Sequence, residues 1–138
     1  MSDDIRSPDE AIRDRCRTLG LAFVMHGMII GSWALFCVFG GLMLGTLGLV
    51  EGDFLMMLPL GGFYFVLAAY AAVASALQIW AGVQLRRGTG LLWAMGALAL
   101  AVPGLVLALY CGPFTLGLMI YALVVLVDKD VRAYLDPA

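Results

Sequence analysis

Gly88–Val127 reads GTGLLWAMGALALAVPGLVLALYCGPFTLGLMIYALVVLV, 40 residues without an Asp, Glu, Lys or Arg. As a single helix it would run about 60 Å, twice the apolar thickness of a bilayer, so it must turn back on itself. Cys111-Gly112-Pro113 is the break near its middle, and proline is a favoured first residue of a helix. The stretch therefore predicts two apolar helices, at about 90–110 and about 113–127. Past the second, Val131, Tyr134 and Leu135 recur at helical spacing, with Asp128 and Arg132 at i,i+4. That pattern predicts that the same helix continues toward the C-terminus.

Two further windows lack charge, Thr18–Val50 and Phe54–Leu85, in a chain of 138 residues that is 63% hydrophobic and 13% charged. An ordinary soluble domain is about half apolar and about a quarter charged, so that class is excluded. Each window is about 50 Å long as a helix, more than one upright span needs and less than two. The spans are placed at about 19–41 and 62–85, with 42–61 as an apolar connection whose tip is Glu51-Gly52-Asp53. Gly40-Gly41, Gly45, Gly48, Pro59 and Gly61-Gly62 mark places where these helices could bend or stop. Either both helices tilt strongly, or an apolar hairpin projects past the hydrocarbon and needs cover. The expected fold is an all-α, integral membrane four-helix bundle forming a single membrane domain.

The basic residues orient it. Arg13, Arg15 and Arg17 precede the first span, Arg86 and Arg87 lie between the second and third, and Lys129 and Arg132 follow the fourth. With four spans all eight basic residues, Arg6 included, share one side, which places both termini in the cytoplasm under the positive-inside rule. Trp80, Trp93 and Tyr134 suit the inner aromatic belt, and Tyr110 the outer one. Of ten acids only Glu51 and Asp53 fall on the far side. The inner face is therefore nearly neutral, and no nucleic-acid partner is expected. The N-terminal segment has no secretory leader pattern. Ser7-Pro8-Asp9-Glu10 instead predicts a capped helix start, with residues 1–18 as an amphipathic cytoplasmic segment. Cys16, Cys37 and Cys111 fall at different depths, and no two of them are expected to pair.

Candidate chemistry is sparse. No acidic or basic side chain lies within a span, where proton-coupled transporters need one, and no triad, metal-binding or phosphate-binding motif occurs. The single histidine, His26, lies seven residues inside the first span, and Gln78 lies seven residues inside the second. In an antiparallel pair both sit about 10 Å from the inner boundary, where a hydrogen bond would satisfy two otherwise costly polar groups. A haem or metal role for His26 would need Met25, Met28 or a second subunit as its partner. Neither a cofactor nor a metal is expected. A second pattern is small residues: Gly27, Gly31 and Ser32 on the first span, and Ala68, Ala72 and Ala76 with Ser75 on the second. Such spacing lets helix backbones approach closely. The eight methionines read as adaptable packing, and Glu51 and Asp53 as a solvated loop tip.

Gln78-Ile79-Trp80-Ala81-Gly82-Val83-Gln84-Leu85-Arg86-Arg87, then Trp93-Ala94, Pro113-Phe114-Thr115-Leu116-Gly117, Tyr121-Ala122-Leu123-Val124-Val125-Leu126 and Val131-Arg132-Ala133-Tyr134 carry a resemblance. They resemble small four-helix inner-membrane proteins of bacteria with no assigned function, with Val124 standing where those proteins carry tryptophan. The resemblance implies four spans in a bacterial inner membrane and carries over no catalytic residue. The functional expectation is a non-enzymatic accessory or structural subunit whose partners are the lipid bilayer and other membrane subunits or a second copy. The alternative is a homo-oligomeric channel or small-molecule transporter with a pore lined by His26, Ser32, Ser75 and Gln78.

Overall fold

The computed structural model describes residues 7–107 and 112–135, the side chains of 54 and 105–107 excepted. The described residues form five helices and no strand: α1 (Pro8–Glu51), α2 (Phe54–Arg86), α3 (Leu91–Leu107), α4 (Gly112–Val127) and α5 (Lys129–Leu135). By length and composition α1 and α2 could each cross a bilayer, and α3 and α4 are shorter apolar helices. The chain divides into two compact units, Met1–His26 with Leu77–Ala138, and Gly27–Ala76.

α1 starts as its sequence dictates. The Glu10 amide donates to Ser7 Oγ and the Ser7 amide to Glu10 Oε2, each at 3.3 Å, with Pro8 as the first helical residue. The helix then runs through Arg17–Leu19 without interruption, so the described part of the N-terminal segment, from Pro8 on, is continuous with the first apolar stretch. Nor does the connection expected at 42–61 exist as such. α1 continues through Gly40-Gly41, Gly45 and Gly48, and α2 through Pro59 and Gly61-Gly62. An interior glycine costs only about 1 kcal/mol, whereas breaking the helix among Leu, Met and Phe would strand several backbone groups without partners. Pro59 falls in the second turn of α2 and removes only one donor from the ladder. The whole turn between the two helices is Gly52-Asp53, with Gly52 at φ +79°, a left-handed backbone that glycine adopts without strain.

In the first unit α3 packs on α4 and α4 on α5. Cys16, Leu19 and Phe23 of α1 meet Ala81 and Leu85 of α2, Ala94, Ala97 and Leu98 of α3, and Leu118, Ala122, Val125 and Leu126 of α4. Val131 and Leu135 of α5 close this core. α1 and α2 approach closely where Gly20 faces Gly82. A Cβ on Gly20 would stand 2.6 Å from the Gly82 carbonyl oxygen, and one on Gly82 would stand 2.5 Å from the Gly20 oxygen. The last helix departs from expectation. α4 stops at Val127, and Asp128 caps α5 by accepting from the Asp130 amide at 3.1 Å. The i,i+4 partner expected for Asp128 is taken elsewhere, because Arg132 Nε donates to the Leu126 carbonyl at 2.8 Å. Asp128 pairs instead with Arg15 at 3.4 Å, an exposed contact worth little by itself.

In the second unit α1 and α2 form an antiparallel hairpin with its own close approach. A Cβ on Gly41 would lie 3.3 Å from the Gly61 carbonyl oxygen, and Gly40 faces the ring of Tyr64. Around this seam the hairpin presents large apolar side chains outward, among them Leu35, Phe36, Phe39, Met43, Leu49, Phe63 and Val66. The exposure is greatest at the tip, 84% for Val50 and 87% for Leu55. Glu51 and Asp53 are exposed there too.

Candidate functional site

His26, Gln78 and Thr115 meet in the first unit, brought together by α1, α2 and α4. Nδ1 of His26 lies 2.7 Å from Oε1 of Gln78, and Nε2 lies 2.8 Å from Oγ1 of Thr115. His26 and Gln78 have no exposed surface and Thr115 almost none. A carboxamide oxygen can only accept, so Nδ1–H donates to Oε1 and the Thr115 hydroxyl donates to the bare Nε2. The Phe114 ring stacks beside the imidazole at a centroid distance of 5.9 Å. One group is left over: Nε2 of Gln78 is buried with no partner. Turning the amide over would strand Oε1 instead, because both ends of the amide compete for one ring nitrogen. Leaving such a group unpaired costs about 1–3 kcal/mol.

This arrangement bears on cofactor chemistry. Both ring nitrogens of His26 are engaged, so neither offers a lone pair to a metal without a hydrogen bond breaking. Met25 and Met28 are exposed on α1. Among the described residues no three His, Cys, Asp or Glu gather where they could hold a metal ion.

The other singled-out residues separate. Ser75 Oγ donates to the Gly27 carbonyl at 2.7 Å within the hairpin unit, and a Cβ on Gly31 would meet that same hydroxyl at 2.9 Å. Ser32 is exposed and turns back to the Ile29 carbonyl at 2.7 Å. On α2 the buried small residues are Ala68, Ala71, Ala74 and Ser75, while Ala72 and Ala76 are exposed. The cause is helical phase. Residues four apart precess by about 40° per step, whereas residues seven apart return to within about 20°. Ala68 and Ser75 thus share a face that Ala76 has left.

No protein family, curated protein or solved structure matches the chain.

In the first unit the basic residues have distinct surroundings. Arg15 pairs with Asp128, Arg13 is held to the Tyr134 hydroxyl, which raises its pKa, and Arg132 is bound to a backbone carbonyl. Tyr134 also lies against the α2–α3 turn, where a Cβ on Gly88 would stand 2.9 Å from its hydroxyl. Arg17, Arg86, Arg87 and Lys129 are exposed and make no ion pair among the described residues.

Cys16 and Cys37 are free thiols buried in the structure, and Cys111, like Tyr110 and Arg6, lies outside the described residues. Burial pushes the Cys16 thiol up, which lowers its thiolate fraction at neutral pH. Folded protein should therefore alkylate at Cys16 about a hundredfold more slowly than a free cysteine at pH 7, with full reactivity restored in denaturant. Mass-resolved maleimide kinetics checks this, and fast labelling in the folded state would show that the α1 core opens readily.

Proposed function

We propose that the protein is a small, non-enzymatic, multi-pass protein of the bacterial inner membrane, with both termini cytoplasmic, and that it serves as an accessory or structural subunit packing against other membrane proteins. The observation that carries this reading is the length of the apolar surface on α1 and α2. Thr18–Val50 and Phe54–Leu85 are helical from end to end and free of charge. To fit about 50 Å of helix into about 30 Å of hydrocarbon requires a tilt of about 53°, beyond the range of about 0–40° found for transmembrane helices. Large side chains stay exposed along both helices, so lipid alone leaves part of this surface facing water. Another membrane protein supplies the missing cover.

The pore reading draws less support. His26 and Gln78 bond to one another, His26 bonds to Thr115, Ser75 to the Gly27 carbonyl, and Ser32 to the Ile29 carbonyl. A pore lining needs polar groups free to replace the hydration of what passes. Here the hydroxyls and the imidazole are already occupied within one chain.

Extraction in a mild detergent followed by native mass measurement tests the proposal. Co-purification with unrelated membrane subunits at fixed stoichiometry is the expected result. A monomer without partners, or a homo-oligomer whose ion conductance falls in Gln78→Leu, would overturn it.

A further inference from the structure

The amino-acid composition makes the inner face nearly balanced in charge, but the fold sorts those charges. Asp128 is taken by Arg15 and by the Asp130 amide, Glu10 by the α1 cap, and Asp14 also has a partner. Arg17, Arg86 and Arg87 are left without one among the described residues. Arg17, near the start of the first charge-free window, and Arg86 and Arg87, at the end of the second, lie at one end of the α1–α2 pair in the first unit. The stem of Arg86 lies against Gly20, since a Cβ there would stand 2.7 Å from Arg86 Cγ. Arg17 sits one turn before Gly20 on the same face of α1. All three adjoin the ends of the charge-free windows, the level at which phosphate groups lie in the bilayer reading.

The chain leaves Arg87 through a tight turn, with the Gly88 amide donating to the Leu85 carbonyl at 3.1 Å and the Thr89 amide to the Gln84 carbonyl at 3.1 Å. Three residues beyond Arg87 an open groove of about 400 Å³ begins, lined by Gly90, Leu91, Leu92, Trp93, Met95 and Leu135. Its lining side chains are apolar, and among them Trp93 suits a membrane interface in the bilayer reading. A cationic pair beside an apolar groove matches a molecule with a negative head and a hydrocarbon tail.

We propose that the Arg86-Arg87 turn, supported by Arg17, and the groove beginning at Gly90 form a binding site for an anionic phospholipid of the cytoplasmic leaflet. The guanidinium groups take the phosphodiester, which arginine can bind in bidentate fashion. The groove takes the first part of an acyl chain. The site rests on the bilayer reading of the chain and is independent of the accessory role.

The test uses the full chain in nanodiscs of phosphatidylcholine into which phosphatidylglycerol with the same acyl chains is titrated. Retained lipid is read by native mass spectrometry and the unfolding temperature by circular dichroism. Wild type should retain phosphatidylglycerol selectively and unfold at a higher temperature in its presence. Arg86→Gln with Arg87→Gln, exposed positions whose change leaves the core intact, should weaken retention about tenfold or more. Arg15→Gln with Lys129→Gln removes the same net charge elsewhere and should leave retention unchanged. Glycerol phosphate added as a soluble competitor should not displace the lipid, because it lacks the chain. Equal retention of the two lipids, or equal loss in both double variants, would overturn the site. Failure of the chain to enter nanodiscs would overturn the bilayer reading beneath it.

Discussion

Gly82→Ala should destabilise the protein by about 3 kcal/mol, an overpacking cost at the top of its usual range. The new methyl group would stand 2.5 Å from the Gly20 carbonyl oxygen, 2.8 Å from Val24 Cγ2 and 3.1 Å from the Val24 amide nitrogen. Two of these three are backbone atoms, which cannot swing aside as the end of a flexible side chain can. Relief must come from moving α1 away from α2, and that loosens the contacts of Leu19, Phe23, Ala81 and Leu85 at once. Gly62 in the same helix gives the comparison. A Cβ there meets nothing within 4 Å, so Gly62→Ala should act only through helix propensity and stabilise by about 0.5–1 kcal/mol. Unfolding in mixed micelles by increasing SDS fraction measures both. Equal shifts in the two variants would show that the Gly20–Gly82 approach carries no packing constraint.

His26→Leu should cost about 2–3 kcal/mol, more than either neighbour's substitution, because it strands the Gln78 amide and the Thr115 hydroxyl together. Thr115→Val removes one bond of the cluster and should cost about 1 kcal/mol, in the range measured for hydrogen bonds between helices in bilayers. Gln78→Leu loses the bond to Nδ1 but also removes the unpaired Nε2. Its net cost should therefore fall below that of His26→Leu. The double variant His26→Leu with Gln78→Leu should lose less than the sum of the two single changes, since no half of the pair is left behind. Additive losses in the same SDS titration would mean that the two residues do not act as a pair.

Much of this arrangement is legible in the order of the amino acids. The charge-free windows mark the helices, and equal depth from Leu19 and Leu85 brings His26 opposite Gln78 in an antiparallel pair. Thr115 is harder to place, because Cys111-Gly112-Pro113 marks the turn between the two apolar helices but not which face of the second meets His26. One signal does point to it: Thr115 is the only serine or threonine between Leu91 and Val127. A lone hydroxyl in so apolar a stretch needs a partner at its own depth. The glycines mislead as well. A glycine inside a helix costs only about 1 kcal/mol in backbone entropy, less than the hydrogen bonds a break would lose, so α1 and α2 run on through them. Ala72 and Ala76 mislead through spacing, since steps of four drift around a helix that steps of seven follow.

The two-residue turn at Gly52-Asp53 also bears on the entropy of closing each contact. Closing a loop costs more entropy as the loop lengthens, and helices joined by so short a connection can zip together from their tip, each contact adding only a few residues to the last closed loop. The Ser75–Gly27 bond closes 48 residues and the His26–Gln78 bond 52. The His26–Thr115 bond closes 89, and it waits for α4. Of the three bonds, His26–Thr115 therefore carries the largest loop-closure cost, and the short turn at Gly52-Asp53 eases only the other two.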